Sequence, residues 1–532
     1  MKKPNTSLIA AIVFVLLFSL SSVVSGTSNA SIIIASSGSI SINENLGQSY
    51  IIHQSYGTNY IQNVSSGLDI YSSSNVVNTF STAFSFVSTG GKITVFPGTY
   101  TATASVVMTG CSNINLVFEK GAVLTIGNHV NQNVLLLNYV LDSTFTNVTI
   151  NGNKANQDTA WTTDGIYLWN CANVVFVGAN ITNVFRDGFA TANSLPGPSG
   201  NSNNGIINST VWNCDWNSIT LGSGGFYTLN DYAINNDIAY SADVGISTYG
   251  INTMIRDNYI HDMNGTTDTR AQYGIATELD QVGSGSYAKI INNIIVRCLY
   301  GVVLGNDGTG NLIKNNFINC SSGIASSADN NVITQNTIVN VSSGGNAGIF
   351  LELNNNDIVS FNNITCSVGA NQAIYLHISN NTFISNNTIV SPNVGVYLDS
   401  NVYNSIIENN AVIGITGVKI SSSSDINNKI SGNTFNCNTN VSNAGTGTII
   451  NPPFSDSYIL IINDPSTDGL ITPSVGIYNY HSTSKVSIVL TPPNDYYSAL
   501  NIDGVNVTLA DNTYSLEMNM DHIVYTVFQH QS

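Results

Sequence analysis

Short apolar stretches alternate with polar turns along most of the chain, and turn residues of two kinds recur at nearly regular spacing. Each apolar stretch is rich in β-branched residues, is bounded by Gly or Asn and shows no 3.6-residue period, which predicts strands. A small residue before an apolar one recurs every 22 to 30 residues, at Gly165, Gly188, Ser218, Gly245, Gly274, Gly301, Gly323, Gly348, Ala373, Gly395 and Gly417. A second, out-of-phase series is Asn236, Asn258, Asn293, Asn316, Asn336, Asn363, Asn387, Asn410 and Asn433.

A repeat of about 22 residues made of short strands predicts a β-solenoid, in which each coil packs only on its neighbours. Coils stack ~4.8 Å apart, so equivalent residues form columns. An Asn in the same turn of every coil can pass amide hydrogen bonds along the stack and satisfy buried backbone. The sequence therefore predicts an all-β fold in which most of the recurring Asn residues are structural.

One stretch near the start of the repeats has a recognisable pattern. Residues 88–127 read STGGKITVFPGTYTATASVVMTGCSNINLVFEKGAVLTIG. This string resembles the entry coils of pectin-lyase-like right-handed parallel β-helices, where a GG-x-V/I-x-V-P-x-G-T-Y pattern leads into the first ladder. The resemblance covers about residues 75–445. It implies a right-handed parallel β-helix and leaves the reaction open.

The chain divides into four predicted segments. Residues 1–30 read as an export signal, because two Lys residues precede an apolar run from Leu8 to Leu20 that is short for a membrane span. An uncleaved N-terminal anchor stays an alternative. Residues 31–76 are a lead-in that covers the end of the stack, and residues 77–450 form the β-helix. Residues 456–532, after a Pro-Pro linker, form a small β domain that resembles internalin B-repeats, which implies adhesion or attachment.

Composition narrows the possible partners and the location. Apolar residues make up 42% of the chain and charged residues only 8%, which favours a folded, β-rich protein. A net charge of −17 with 14 Lys and Arg argues against nucleic acid as a partner. We expect a secreted or cell-surface protein that is not integral to a membrane beyond the possible anchor. Asn-x-Ser/Thr sequons agree weakly with a glycoprotein, and the seven Cys predict buried thiols with at most one or two bridges.

Candidate binding residues concentrate in the middle of the repeats. The coils between Gly188 and Gly301 are longer than later ones, so their extra residues must protrude as loops and border a groove. Aromatic rings in such a groove can stack on sugars, and charged groups can bind hydroxyls. The alternative is ordinary loop variation. The predicted substrate-binding residues are Trp161, Trp169, Trp212, Trp216, Tyr249, Arg270, Glu278 and Asp280.

The candidate catalytic residues are Asp164, Arg186, Asp187, Asp243, His261 and Asp262. Asp164 and Asp187 precede repeat glycines one coil apart, so their carboxylates are expected ~5 Å apart, a separation used by glycosidases. The alternative is turn chemistry, in which each Asp binds backbone. Arg186 could bind a uronic carboxylate or pair with a neighbouring acid. His261 is suited to proton transfer, or is a turn residue with its bonds satisfied.

Register makes one further prediction at this site. Asp262 and Arg297 share the same offset after a series Asn, which predicts an ion pair between coils. No dense ligand spacing indicates a metal, so no cofactor is predicted, with Ca²⁺ on the long loops as the alternative.

Motifs of the best-known enzymes with this fold are missing. The Asn-Thr-Asp, Asp-Asp, Gly-His-Gly and Arg-Ile-Lys strings of polygalacturonases are absent, as is the Arg-x-Pro-x-x-Arg string of pectate lyases. The predicted function is therefore binding of a polysaccharide or cell-surface glycan. A lyase, glycosidase or epimerase activity stays open. The alternative is a non-catalytic surface protein of the adhesin type.

Overall fold

The structure is a computed structural model that describes residues 29–34, 40–45, 48–158, 163–194, 202–223, 228–263, 272–277, 285–306, 308–342, 347–450, 457–463, 470–473, 476–481, 485–491, 496–503, 505–509, 512–518 and 522–530. Its main body is a right-handed parallel β-helix of about 13 turns. Each regular coil contributes one short strand to each of three parallel sheets. The fold predicted from the repeats and from the pectin-lyase-like pattern is thus confirmed.

The three sheets are named by the order in which a coil enters them. The first sheet contains Gln48–Ser55, Gly91–Val95, Ile114–Phe118, Leu141–Thr146, Ala172–Val177, Gly205–Ile207, Tyr232–Ile234, Met254–Arg256, Lys289–Ile291, Leu312–Lys314, Val332–Thr334, Ile358–Ser360, Phe383–Ser385, Ile406–Glu408, Lys429–Ser431 and Ile449–Ile450. The second contains Gly98–Ala102, Ala122–Ile126, Thr149–Asn151, Asn180–Val184, Thr210–Cys214, Asp237–Ala239, Tyr259–His261, Ile294–Val296, Phe317–Asn319, Thr337–Val341 and Asn363–Cys366.

The third sheet contains Val106–Thr109, Leu135–Asn138, Ile166–Trp169, Phe189–Ala192, Ile219–Ser223, Val244–Thr248, Tyr273–Thr277, Tyr300–Leu304, Ser322–Ser326, Ile349–Glu352 and Gln372–His377. Three longer strands, Thr388–Asp399, Ala411–Ile420 and Thr434–Asn443, run from the second sheet into the third. Inward side chains of all three sheets form one apolar core along the axis. A 3₁₀ turn, Lys154–Asn156, lies in one connection.

An N-terminal segment packs against the first coils. Thr58–Asn63 pairs antiparallel with both Gln48–Ser55 and Leu68–Ser73, and Gln48–Ser55 lies beside the first coil. The helix Val76–Phe86, which the sequence analysis did not predict, begins after Asn75, whose side chain accepts a hydrogen bond from the backbone N–H of Asn78. Its buried face inserts aromatic side chains into the core of these coils. A separate pair of antiparallel strands, Asn29–Ile34 and Ile40–Asn45, precedes this segment.

The C-terminal segment forms two small sheets with their own core. One has the order Gly476–His481, Ser457–Asn463, His522–His530, Tyr496–Ile502 and Val505–Thr508. The other has the order Leu470–Thr472, Lys485–Thr491 and Thr513–Glu517. The likeness of this segment to internalin B-repeats stays a prediction. Within the described part of the chain, no helix is long and apolar enough to cross a membrane.

A buried ladder of asparagines joins nine consecutive coils. The backbone N–H of each of the first eight members donates to Oδ1 of the next member at 2.9 to 3.0 Å, and each Nδ2 donates to a carbonyl of the preceding coil. The members are Asn236, Asn258, Asn293, Asn316, Asn336, Asn362, Asn387, Asn410 and Asn433. Asn363, named in the sequence series, was wrong by one position, because it begins a strand and points to solvent.

The repeat glycines also lie in one column, at the turn into the third sheet. A Cβ on Gly301 would lie 2.8 Å from the carbonyl oxygen of Gly323, and one on Gly323 would lie 2.1 Å from that of Gly348. Such distances are below ordinary contact, so close approach of adjacent coils excludes a side chain at these two positions, although Ser218 and Ala373 occupy the same column. All seven cysteines are free thiols, and six of them are buried.

We predict that Asn362→Ala destabilises the β-helix, whereas Asn363→Ala does not. The first change leaves the N–H of Asn336 and the carbonyl of Ile333 buried without these partners, at a cost of about 2 to 4 kcal/mol. The second removes an exposed side chain, with an effect within about 0.5 kcal/mol. Denaturant unfolding followed by circular dichroism measures both, and equal effects of the two substitutions would contradict the ladder.

Candidate functional site

The structure separates the predicted site residues into two groups. Asp164, Arg186, Asp187 and Trp216 meet in the turns between the second and third sheets. His261, Asp262 and Trp212 meet on the outer face of the second sheet. Four other predicted residues, Trp161, Arg270, Glu278 and Asp280, lie outside the described residues.

The acid pair follows the register predicted from the repeat glycines. The N–H of Asp187 donates to Oδ1 of Asp164 at 3.2 Å, and the N–H of Asn217 donates to Oδ1 of Asp187 at 3.1 Å. Each carboxylate therefore accepts a backbone hydrogen bond from the next coil, whereas each ladder asparagine accepts one from the preceding coil. With both residues at most 2% exposed, the geometry favours the structural alternative for this pair.

Arg186 lies between the acid pair and an indole ring. Its Nη1 is 3.7 Å from Oδ2 of Asp164, its Nε is 3.9 Å from Oδ2 of Asp187, and its Cζ is 5.3 Å from the ring centroid of Trp216. Burial, together with the charge of Asp187, raises the pKa of Asp164 to about 7, against the opposing effect of Arg186. Arg186 therefore pairs with neighbouring acids, which was one of its two predicted roles.

The remaining described candidates lie near these turns. Asp243 lies one coil after Trp216, and its backbone N–H donates to the Trp216 carbonyl oxygen at 3.4 Å. Trp169 lies beside Tyr167 with ring centroids 6.0 Å apart, and Tyr249 is half-buried at the end of a strand of the third sheet. The structure does not bring Trp169 to the histidine on the second sheet.

On the second sheet, the imidazole of His261 lies between the carboxylates of Asp237, one coil earlier, and Asp262, the next residue. Its Nε2 is 3.0 Å from Oδ1 of Asp237, and its Nδ1 is 2.7 Å from Oδ2 of Asp262. Carboxylate oxygens of ionised acids only accept hydrogen bonds, so both contacts are hydrogen bonds only when both ring nitrogens carry hydrogen. The imidazole is therefore fixed in orientation, with neither nitrogen directed to solvent.

The predicted ion pair between coils is confirmed. Arg297 Nε lies 2.5 Å from Oδ1 of Asp262, and Nη2 donates to Oδ2 at 2.7 Å. These hydrogen bonds hold the pKa of Asp262 well below its usual range. Both residues have left-handed backbone, with φ of 55° for Asp262 and 58° for Arg297, as do Asn183, Asn213 and Asn340 in the same turn of other coils.

Three exposed aromatic rings surround His261. Tyr259 stacks on the imidazole with centroids 4.2 Å apart, and Trp212 and Tyr240 approach it edge-on at 6.5 and 6.2 Å. Trp212 reaches the imidazole across a coil whose residue in this column is Ala239. We call this group the histidine cluster; it consists of Trp212, Asp237, Tyr240, Tyr259, His261, Asp262 and Arg297.

Sequence reasoning missed three members of the histidine cluster, although register contained the signal. Asp237 and Tyr259 each directly follow a ladder asparagine, and Tyr240 occupies the same offset as Asp262 and Arg297. Aligning the coils on the ladder would have placed them together. Among the described residues, no three His, Cys, Asp or Glu side chains converge in a way that could hold a metal ion.

Solved structures with similar coil arrangements include proteins of several kinds. The A-module of mannuronan C-5 epimerase AlgE4 from Azotobacter vinelandii is 13% identical, with 71% of this chain and 94% of that chain covered and a TM-score of 0.40. Tailspike protein 3 of bacteriophage CBA120 is 12% identical, with 88% and 73% covered and a TM-score of 0.49. PfbA, a surface adhesin of Streptococcus pneumoniae, is 14% identical, with 76% and 95% covered and a TM-score of 0.38.

No protein-family model and no curated protein sequence matches the chain. The assignment of the fold therefore rests on the strand register and the hydrogen-bonded ladders of the chain itself.

We predict that Arg186→Ala destabilises the β-helix by about 2 to 4 kcal/mol at pH 8, because two buried carboxylates lose their counter-ion. The raised pKa of Asp164 means that the folded chain favours its protonated form. The contribution of the raised Asp164 pKa to the stability of the folded protein is complete below about pH 4 and is lost as pH rises to about 7. The loss from Arg186→Ala should therefore be smaller at pH 5 than at pH 8.

Thermal unfolding at the two pH values tests this, with Arg256→Ala as a control, since Arg256 is exposed and pairs with the exposed Asp257. An equal loss at pH 5 and pH 8, or a loss no larger than that of the control, would contradict the buried ion pair.

Proposed function

We propose that the chain is a secreted or cell-surface protein that binds a polysaccharide at the histidine cluster. The observation that carries this proposal is the exposed ring of aromatic and charged side chains fixed around His261. Tyr240, Tyr259 and Trp212 are 46%, 39% and 37% exposed. Such rings lose little conformational entropy on binding and stack on the C–H faces of sugars, while nearby charged groups bind hydroxyls.

The charges at the cluster favour a neutral glycan. Asp237 and Asp262 contribute two carboxylates, and Asp262 already neutralises the guanidinium of Arg297. The whole chain carries a net charge of −17. An anionic polymer would meet repulsion from the protein field, and the cluster offers it no positive charge that is not already paired with a carboxylate.

The geometry supports binding more than cleavage. Both nitrogens of His261 are engaged by carboxylates, so proton transfer to a sugar would first require one of these bonds to break. The acid pair is also almost inaccessible. A lyase or glycosidase activity in the neighbouring coils is the second candidate, supported by the rise in the pKa of Asp164 toward 7, which suits a general acid.

The export signal predicted at residues 1–30 supports a location outside the cytoplasm. A surface glycan is the polymer that such a protein would meet there. The rigid, three-sided solenoid offers long rows of outward side chains in fixed register, which suits an extended chain.

We predict that Trp212→Ala weakens binding of a polysaccharide at least about tenfold, since an exposed ring at the centre of a contact is a typical hot spot. Affinity electrophoresis in gels containing laminarin, β-mannan, hydroxyethylcellulose, alginate or polygalacturonate measures binding. Tyr56→Ala is the matched control, because Tyr56 is fully exposed on the N-terminal hairpin. Retardation of the wild type and the control, but not of Trp212→Ala, is expected in at least one neutral gel.

The same polymers, incubated with the protein and assayed for reducing ends and for ultraviolet absorbance of unsaturated products, test cleavage. Absence of retardation in every gel would contradict the proposed binding. Binding without new products would leave the protein as a non-catalytic glycan binder.

A further inference from the structure

A row of aromatic side chains lies on the outer face of the third sheet, away from the histidine cluster. Phe350, Tyr375 and Tyr397 occupy one column on three consecutive coils, and Lys419 follows on the next. Ring centroids are 4.9 and 5.2 Å apart, and the Lys419 ammonium lies 5.1 Å from the centroid of Tyr397. We call Phe350, Tyr375 and Tyr397 the aromatic row.

Core packing does not account for the aromatic row. Inward neighbours on the same strands are aliphatic and fully buried, whereas the row points outward and is partly buried. The residue one coil before Phe350 in this column is Ala325, so bulky side chains begin abruptly there. Single exposed hydrophobic residues are ordinary, but a contiguous row marks an interaction surface.

A polar row runs beside the aromatic row, two residues further along each strand. Glu352, His377 and Asp399 are in register on the same three coils. The Tyr375 hydroxyl donates to Oδ2 of Asp399 at 2.9 Å, and Ser421 Oγ donates to Oδ1 at 2.9 Å. The Nδ1 atom of His377 lies 3.0 Å from the Asp399 carbonyl oxygen. The two rows are thus linked and held in one arrangement.

The backbone after the polar row is strained. Leu353, Ile378 and Ser400 have left-handed φ values of 61°, 52° and 57°. This conformation is costly for a β-branched residue such as Ile378. Tyr139 and Asn170 adopt it in the same turn of earlier coils.

We propose that the aromatic row and the polar row together form a second site for a neutral saccharide chain, running parallel to the solenoid axis. Coils repeat every ~4.8 Å, a step comparable to the length of one sugar unit in an extended chain. Ring edges and tyrosine hydroxyls on one side, with carboxylate and imidazole groups on the other, match the alternating C–H and O–H groups of a sugar. Glu352 and Asp399 disfavour an anionic chain.

This inference rests on the proposed function and adds bivalency to it. The coil that contains Tyr375 lies four coils beyond that of His261, a distance of about 19 Å along the axis. A long polymer could occupy both sites, and its second contact would then be intramolecular. Such bivalency raises the affinity for the polymer above that of either site alone.

Calorimetry with the full chain tests the second site, using laminarihexaose, mannohexaose and cellohexaose, and then laminarin, β-mannan and hydroxyethylcellulose. The wild type is expected to bind two molecules of one hexasaccharide. The double variant Tyr375→Ala, Tyr397→Ala should bind one, as should Trp212→Ala. Each variant should bind the matching polymer at least about tenfold more weakly, because bivalency is lost.

The double variant Glu352→Gln, Asp399→Asn keeps the side-chain volume and replaces the alanine variant in the test if that variant unfolds. It too should bind one hexasaccharide. Wild-type binding of a single hexasaccharide that Trp212→Ala abolishes would overturn the second site and leave the proposed function intact. Failure of the wild type to bind any of the six probes would overturn both.

Discussion

Hydrogen bonds from a buried asparagine side chain to the backbone of the neighbouring coil fix the spacing and the register of this protein. In each step of the ladder, Oδ1 accepts an N–H from one coil while Nδ2 donates to a carbonyl. The turn backbone, which would otherwise be buried without partners, is satisfied in this way. Because the same geometry recurs from Asn236 to Asn433, residues at equal offsets from the ladder must lie in columns. The histidine cluster is a consequence of those columns. The members of the aromatic row lie 14, 13 and 10 residues after their ladder asparagines, so strand pairing in the third sheet aligns them.

A column on the outer face can form a binding surface when charged or aromatic residues occupy it on neighbouring coils. On the second sheet, Trp212 and His261 share a column with Ala239 between them, and the small side chain of Ala239 lets the two rings meet. At the turns between the second and third sheets, repeat register brings two carboxylates together, but they are buried and each accepts a backbone N–H from the next coil. A carboxylate beside another can therefore be a site or a structural element, and its exposure and hydrogen bonds decide which.

Much of the fold was predictable, because repeat spacing reports directly on coil length. Equal offsets from the series asparagines also predicted the pair of Asp262 and Arg297, and equal offsets from the repeat glycines predicted the adjacency of Asp164 and Asp187. Spacing could not reveal that Oδ1 of each acid accepts a backbone N–H, since that depends on the side-chain torsion in the turn. It also failed to separate Asn362 from Asn363, because two adjacent asparagines fit the same pattern and only strand direction distinguishes them. The helix Val76–Phe86 was missed because it lies outside the repeat and is a single short element.

Distances between nitroxide labels along one column test the central claim most directly. Thr210, Phe317, Asn363 and Ala411 occupy the same outward column of the second sheet. Labels paired with position 210 should lie about 19, 29 and 38 Å away at positions 317, 363 and 411, since each coil adds ~4.8 Å. Pulsed electron–electron double resonance measures these distances. Distances that do not rise in such even steps would show that equivalent residues do not form columns, and would contradict the account.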